Sequence, residues 1–253
     1  MIKSIIHSGG ESTRMREAYD GPKALAPVDG KPLLWYHMQP FLRSNLVREY
    51  LFTLRHMHET VQSYVDQMEK EFGIQCKSIV ENVPLGRAGV IRLAIEKGLV
   101  DTNSYYLMSH PDDLVPIDVK RLFEYAIEAE SRGKSIIVVM ARHAPNPFGI
   151  GEIQEKDGVM EILQFREKPE LPFIDNHYAN TGMMLFLPEA MKEFRKVPSG
   201  KLVHPEDEII PRLVSENKVA AFPVDRWLSI NYKSDYKKLL TMGSDKLLKF
   251  LSP

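Results

Sequence analysis

The first segment whose residue types could do chemistry is Ser8-Gly9-Gly10-Glu11-Ser12-Thr13-Arg14-Met15, followed by Gly21-Pro22-Lys23. The apolar run Ile2–His7 reads as a strand ending at the glycines. Without Cβ atoms at Gly9 and Gly10 the backbone can approach a phosphate, and successive N–H groups can form an anion-binding nest. Arg14 adds a planar fork of donors, and Lys23 a movable point charge. The spacing is neither that of a Walker loop nor that of the dinucleotide fingerprint. On these residues alone, a glycine turn with a solvated arginine and lysine reads equally well.

The elements that would position this loop alternate. After Ile2–His7, Pro32–Leu42 reads as a helix weakened by Pro40, and Tyr50–Leu54 as a strand. Val61, Tyr64, Val65, Met68 and Phe72 give one apolar helical face, then Cys76–Val80 a strand. Val90 to Leu99 repeats the helical spacing, Tyr105–Met108 is a strand, Val119 to Ile127 a helix, and Ser135–Met140 a β-branched strand. Strands alternating with helices of this length predict an α/β fold: a three-layer, Rossmann-like, mostly parallel sheet with ligands beyond the carboxyl ends of its strands. The second half adds a hairpin with Asp157-Gly158 as its turn, strands at Met183–Phe186 and Val219–Val224, and a helix from Asp235 to Phe250. This predicts a smaller antiparallel insertion on the same core. Nothing marks a domain boundary, so the expectation is one domain over 1–253.

Composition narrows the function classes. Thirty-three basic and thirty-four acidic residues give a net charge of -1, against a nucleic-acid coat or a polybasic membrane patch. The single cysteine, Cys76, allows no internal disulfide and no cysteine-built zinc site, which fits a reducing cytosol; it sits in a strand pattern and reads as an inert thiol. No segment has the apolar length of a membrane span, and the first eight residues are too short for a signal peptide core. The eight histidines, His37 and His110 among them, show no metal-ligand spacing. A cytoplasmic protein is expected, with a homo-oligomer left open.

A series of phrases, in order along nearly the whole chain, resembles the sugar-phosphate nucleotidylyltransferases, whose fold is the nucleotide-diphospho-sugar transferase type. Gly9-Gly10-Glu11-Ser12-Thr13-Arg14-Met15 and Pro22-Lys23 are similar to the family's Gly-Gly-x-Gly-Thr-Arg-Leu and Pro-Lys, followed by Ala26-Pro27-Val28-Asp29-Gly30-Lys31-Pro32-Leu33. Pro84-Leu85-Gly86-Arg87-Ala88-Gly89, His110-Pro111-Asp112-Asp113-Leu114 and Phe165-Arg166-Glu167-Lys168-Pro169 then match successive family phrases. Asn180-Thr181-Gly182 and Trp227-Leu228-Ser229-Ile230-Asn231 complete the series.

The resemblance implies joining a nucleoside triphosphate to a sugar 1-phosphate with release of pyrophosphate. Gly9, Gly10, Ser12, Thr13 and Arg14 would hold the triphosphate, and Lys23 would neutralise charge building on the α-phosphorus and the leaving pyrophosphate. Asp112 would bind Mg²⁺; read alone, it could equally cap a helix. Glu81 and Gly86 fall in the segment that reads the base. Glu167 would accept bonds from sugar hydroxyls, Lys168 would grip the acceptor phosphate, and Gly149, Asn180 and Thr181 would line the rest of that pocket. The nucleotide-binding half would span about 1–115 and the acceptor half about 116–253. Without the longer relatives' β-helix, an acyltransferase activity is not expected.

Three departures stand out. Ser12 replaces the loop's third glycine, which is tolerable at negative φ and awkward at positive φ. Arg87 replaces a threonine. Ser229 falls where the family has its second metal-binding aspartate, with Asn231 or Asp113 as candidate oxygen donors. Two alternatives therefore stand beside the main reading: a nucleotidyltransferase with a non-sugar phosphorylated acceptor, and a catalytically idle, nucleotide-sugar-sensing regulatory subunit.

Overall fold

The computed structural model describes residues 2–142, 149–167 and 177–252. The chain runs β1 (Ile2–His7), β2 (Pro27–Val28), β3 (Lys31–Pro32), α1 (Leu33–Ser44), β4 (Val47–Leu54), α2 (His58–Phe72) and β5 (Gln75–Val80). Next come α3 (Gly86–Glu96), β6 (Tyr105–Ser109), β7 (Asp113–Leu114), α4 (Val119–Ser131), β8 (Ile136–Arg142), β9 (Ile150–Lys156) and β10 (Val159–Arg166). It closes with β11 (His177–Phe186), α5 (Pro188–Glu193), α6 (Ile209–Ser215), β12 (Val219–Val224), β13 (Leu228–Ser229) and α7 (Lys233–Phe250). These form two compact units interleaved along the chain: 1–83, 109–119 and 228–253 in the first, 84–108 and 120–227 in the second.

In the first unit β4 lies between β1 and β5, all parallel, with Ile5 opposite Leu51 and Leu51 opposite Lys77. Parallel neighbours need crossovers, here α1 and α2. The apolar stripe of α2, Val61, Val65 and Met68, is buried. Helix α1 passes through Pro40 as expected and ends at Ser44, two residues beyond Leu42. A proline inside a helix costs about 3 kcal/mol; burial of Tyr36, Met38 and Phe41 around it offsets that cost. Asn45 then stops the helix in the left-handed conformation. A second cluster joins Met15, Val28, Leu33 and Tyr36 from the start of the chain to Ile230, Tyr236, Leu239 and Leu247 from its last segment.

The second unit is a mixed sheet. β11 is antiparallel to β6, β8 and β9, while β12 is parallel to β8 and antiparallel to β10. The expected hairpin forms: β9 and β10 pair antiparallel across Asp157 (φ 52°) and Gly158 (φ 80°), both left-handed as such a turn requires. Around Ser229 the chain is extended only briefly, since β13 spans Leu228–Ser229.

Lys134, at the start of β8's approach, is buried with its ammonium on Glu161 Oε1 (2.9 Å), Asn217 O (3.0 Å) and Asn217 Oδ1 (2.7 Å). Three acceptors offset the cost of taking a lysine out of water. Lys134→Ala strands them, so we expect a loss of about 3 kcal/mol in chemical denaturation. A loss under about 1 kcal/mol would show that the second unit does not depend on this knot.

Candidate functional site

The glycine-rich loop leaves the carboxyl end of β1, where Ser8 N–H donates to Thr53 O (2.9 Å). A Cβ on Gly9 would press on Arg55 Cβ at 3.2 Å, whereas one on Gly10 would meet nothing within 4 Å. Gly9 is therefore tightly packed against Arg55, and Gly10 faces open space that a ligand could fill. Ser12 has φ 56°, the conformation that makes serine awkward there. Its side chain compensates: Ser12 Oγ accepts the backbone N–H of Lys23 at 3.1 Å. Residues 13–18 form a turn, with Met15 N–H donating to Ser12 O (2.9 Å) and Met15 fully buried as its anchor. Thr13 and Arg14 are exposed on this turn, and the Arg14 guanidinium lies 5.5 Å from the ring centroid of Tyr232.

Lys23, Asp112, Asn231 and Ser229 form one chain of contacts. Lys23 Nζ donates to Asp112 Oδ2 at 2.5 Å and to Asn231 Oδ1 at 3.2 Å, and Asn231 Nδ2 donates to Ser229 Oγ at 2.7 Å. Asp112 sits in the turn between β6 and β7 and caps no helix. Its carbonyl accepts Ile230 N–H (2.8 Å), and β7 pairs with β13 so that Ser229 lies opposite Asp113. Asn231 is held by Asp235 Oδ2, which accepts the N–H groups of Asn231 (3.1 Å) and Tyr232 (2.8 Å) at the start of α7. Among the described residues no group of three or more His, Cys, Asp or Glu side chains converges as metal ligands. The oxygen donors here are one carboxylate, one hydroxyl and one amide.

A residue that sequence reasoning gave no role steadies this turn. His37, buried in α1, contacts Ser109 Oγ (2.8 Å) through Nε2 and Asp113 O (3.1 Å) through Nδ1. Burial pushes its pKa down to about 4, against the raising effects of the Asp113 carbonyl and the Asp112 charge. The ring is therefore neutral at pH 7. Its position on the buried face of a predicted helix was the one available signal. His7 and His110 stack with ring centroids 5.4 Å apart at the same end of the unit.

Glu81 follows β5 directly, its N–H bonded to Leu54 O (2.8 Å). In the second unit, Gly86 has φ 70° and a Cβ there would strike Val203 O at 2.4 Å, so only glycine fits. Arg87 Nη2 lies 2.9 Å from Glu206 Oε2. Burial raises the Glu206 pKa, Arg87 opposes that, and the charges of Glu167 and Asp207 add to it. Gly149, Glu167 and Asn180 come together: a Cβ on Gly149 would meet Glu167 Oε2 at 2.7 Å, and Gly149 O accepts Asn180 N–H at 2.7 Å. Asn180 Oδ1 accepts Gly182 N–H (2.9 Å). Thr181 is wholly buried, its hydroxyl donating to Val139 O (2.9 Å), so it shapes the irregular stretch of β11 from behind. Lys168 lies outside the described residues. Cys76 has its thiol pushed up to about 12 by burial first and by Glu69 and Asp66 next, which leaves it unreactive.

The family model described as nucleotidyl transferase matches residues 3–240. Mannose-1-phosphate guanyltransferase 2 of Candida glabrata is 26% identical over 238 residues, covering 93% of this chain and 63% of that relative. The chain spans 62–66% of the length of the curated relatives it matches. A solved structure from Bacillus anthracis, named for glucose-1-phosphate thymidylyl transfer and holding sucrose, has a TM-score of 0.77 at 18% identity, covering 98% of this chain and 99% of its own. HddC from Yersinia pseudotuberculosis, complexed with GMP-PN, has a TM-score of 0.70 at 20% identity, covering 95% and 99%. These likenesses give the α/β fold of nucleotidyltransferases.

Two measurements test the local physics. Ser12→Gly removes a left-handed serine costing about 1–2 kcal/mol but also a hydrogen bond worth about 1 kcal/mol. Its stability in urea should stay near that of the parent, while Ser12→Ala, which keeps the strain and loses the bond, should be less stable by about 1 kcal/mol. For His37 the folded pKa is depressed, so the unfolded chain takes up the proton first as pH falls. Stability from this group is intact above pH 6.5 and is lost down to about pH 4, by roughly 3 kcal/mol in all. Denaturation across that window should show the fall, and His37→Gln should flatten it.

Proposed function

This chain belongs to the nucleotidyl transferase family, and we propose that it joins a nucleoside triphosphate to a sugar 1-phosphate, giving a nucleotide-sugar and pyrophosphate. The observation that carries the reading is the Lys23–Asp112 contact beside an open glycine-rich loop. A cation and a hard oxygen anion held together beside a loop with an exposed glycine are parts that transfer at phosphorus can use.

In this proposal Gly9, Gly10, Ser12, Thr13 and Arg14 hold the triphosphate. A phosphate oxygen of the acceptor attacks the α-phosphorus as pyrophosphate leaves, and Lys23 neutralises the charge that builds there. Glu81 and Gly86 contribute to base recognition. Glu167 accepts bonds from sugar hydroxyls, with Gly149, Asn180 and Thr181 forming their surroundings and Lys168 taking the acceptor phosphate. Asp112, with Ser229, Asn231 and the triphosphate's own oxygens, offers the all-oxygen donor set that Mg²⁺ prefers. Bound Mg²⁺ would supply positive charge against the phosphates.

Relatives named mannose-1-phosphate guanyltransferases make GTP with mannose 1-phosphate the pair to try first. A second reading, an idle nucleotide-sugar sensor, is favoured by Ser229 alone, because a hydroxyl is a poor replacement for a metal-binding carboxylate. Pyrophosphate release should be measured with Mg²⁺ across the common triphosphates and a panel of sugar 1-phosphates and phosphorylated alcohols. We expect a signal from a sugar 1-phosphate that EDTA abolishes and Lys23→Ala lowers by roughly a hundredfold or more. Ser229→Asp should lower the Mg²⁺ concentration needed for half-maximal rate. Silence with every pair, in protein that still binds a nucleotide-sugar, would decide for the sensor.

A further inference from the structure

Arg55 is a charged residue at the loop that the proposed function leaves without a role. It follows the carboxyl end of β4, the parallel neighbour of β1, so it emerges beside the strand end that carries the glycines. Its Cβ and backbone N lie 3.2 and 3.3 Å from where a Gly9 Cβ would be, which fixes the start of the side chain against the loop. The chain then turns sharply at Met57, held left-handed at φ 49°. The Arg55 guanidinium reaches back to Glu11 in the same loop, Nη1 to Oε1 at 3.0 Å.

The cations around this loop rest on partners within the first unit: Lys23 on Asp112, Arg14 over Tyr232, Arg16 by Asp20, and Arg55 on Glu11. The Arg55–Glu11 pair is half open to water, and pairs of that kind contribute only about 0–1 kcal/mol. A guanidinium pairs with carboxylate and phosphate oxygens alike through charge-assisted bonds. A polyphosphate offers several negative charges and many acceptor oxygens where Glu11 offers one carboxylate, which favours its exchange for Glu11.

Resting on the proposed function, we infer that Arg55 is a further polyphosphate-binding residue, parked on Glu11 until the triphosphate or the departing pyrophosphate takes its guanidinium. Glu11 then acts as a competing anion that weakens binding. A purely structural pair predicts that losing either partner has the same effect. The polyphosphate role predicts opposite effects.

The test is calorimetric binding of GTP and of inorganic pyrophosphate to the full chain in Mg²⁺, with the acceptor KM as control. Arg55→Ala should weaken both ligands roughly tenfold or more and leave the acceptor KM unchanged. Arg55→Lys should recover part of the loss, and Glu11→Gln should tighten both ligands several-fold. Equal losses in Arg55→Ala and Glu11→Gln, or no change in either, would overturn the role of Arg55 while leaving the proposed function intact. A parent protein that binds neither ligand would overturn both.

Discussion

The ion pair between Lys23 and Asp112 is the contact on which the arrangement of the first unit depends. Both side chains are largely withdrawn from water, at 16% and 24% exposure, so each would be costly alone. Their meeting requires three distant segments to be in place. The Lys23 backbone is set by Ser12, Asp112 is set by Ile230 and by the turn that His37 braces, and Asn231 is set by Asp235. The pair is also replaceable. A cation on the carboxylate and a phosphate on the ammonium would leave both charges as well matched as they are now.

The departures from the family pattern are absorbed by neighbours rather than left as defects. Ser12 carries the backbone strain that a glycine would avoid, yet its hydroxyl satisfies a donor that a glycine could not. Ser229 has no charge to offer, and Asn231 stands between it and Lys23. An ammonium only donates, so the amide oxygen of Asn231 must face Lys23 and its NH₂ must face Ser229 Oγ. That fixed orientation keeps an oxygen at the Asp112 site where a second carboxylate is missing.

Much of this was legible beforehand. The alternating strands and helices of the first half, the Asp157-Gly158 turn and the loop residues followed from apolar period and turn chemistry, because each is decided within about ten residues. Helix α1 was legible to within two residues at each end, and it tolerates Pro40 because Tyr36, Met38 and Phe41 are buried around it. The pairing of two-residue strands β7 and β13, which sets Ser229 opposite Asp113, has no periodicity to detect. His37 was invisible as a brace because its partners, Ser109 and Asp113, lie more than seventy residues away. The resemblance supplied roles for Asp112 and Glu167 that spacing alone left open.

The core that joins Met15, Val28 and Tyr36 to Tyr236, Leu239 and Leu247 has a bearing on how the protein is made. Tyr36 OH donates to Val28 O and reaches Ser244 Oγ, while Asp29 accepts the Ser244 N–H where α7 breaks at Gly243. Residues made first thus wait for residues made some two hundred positions later. During synthesis the glycine-rich loop emerges early, without the helix that covers Met15 and Tyr36 or the asparagine that completes Lys23. Contacts of such sequence separation close slowly and leave apolar surface uncovered meanwhile. The first unit can therefore complete its core, and the surroundings of Lys23, only after α7 has been made.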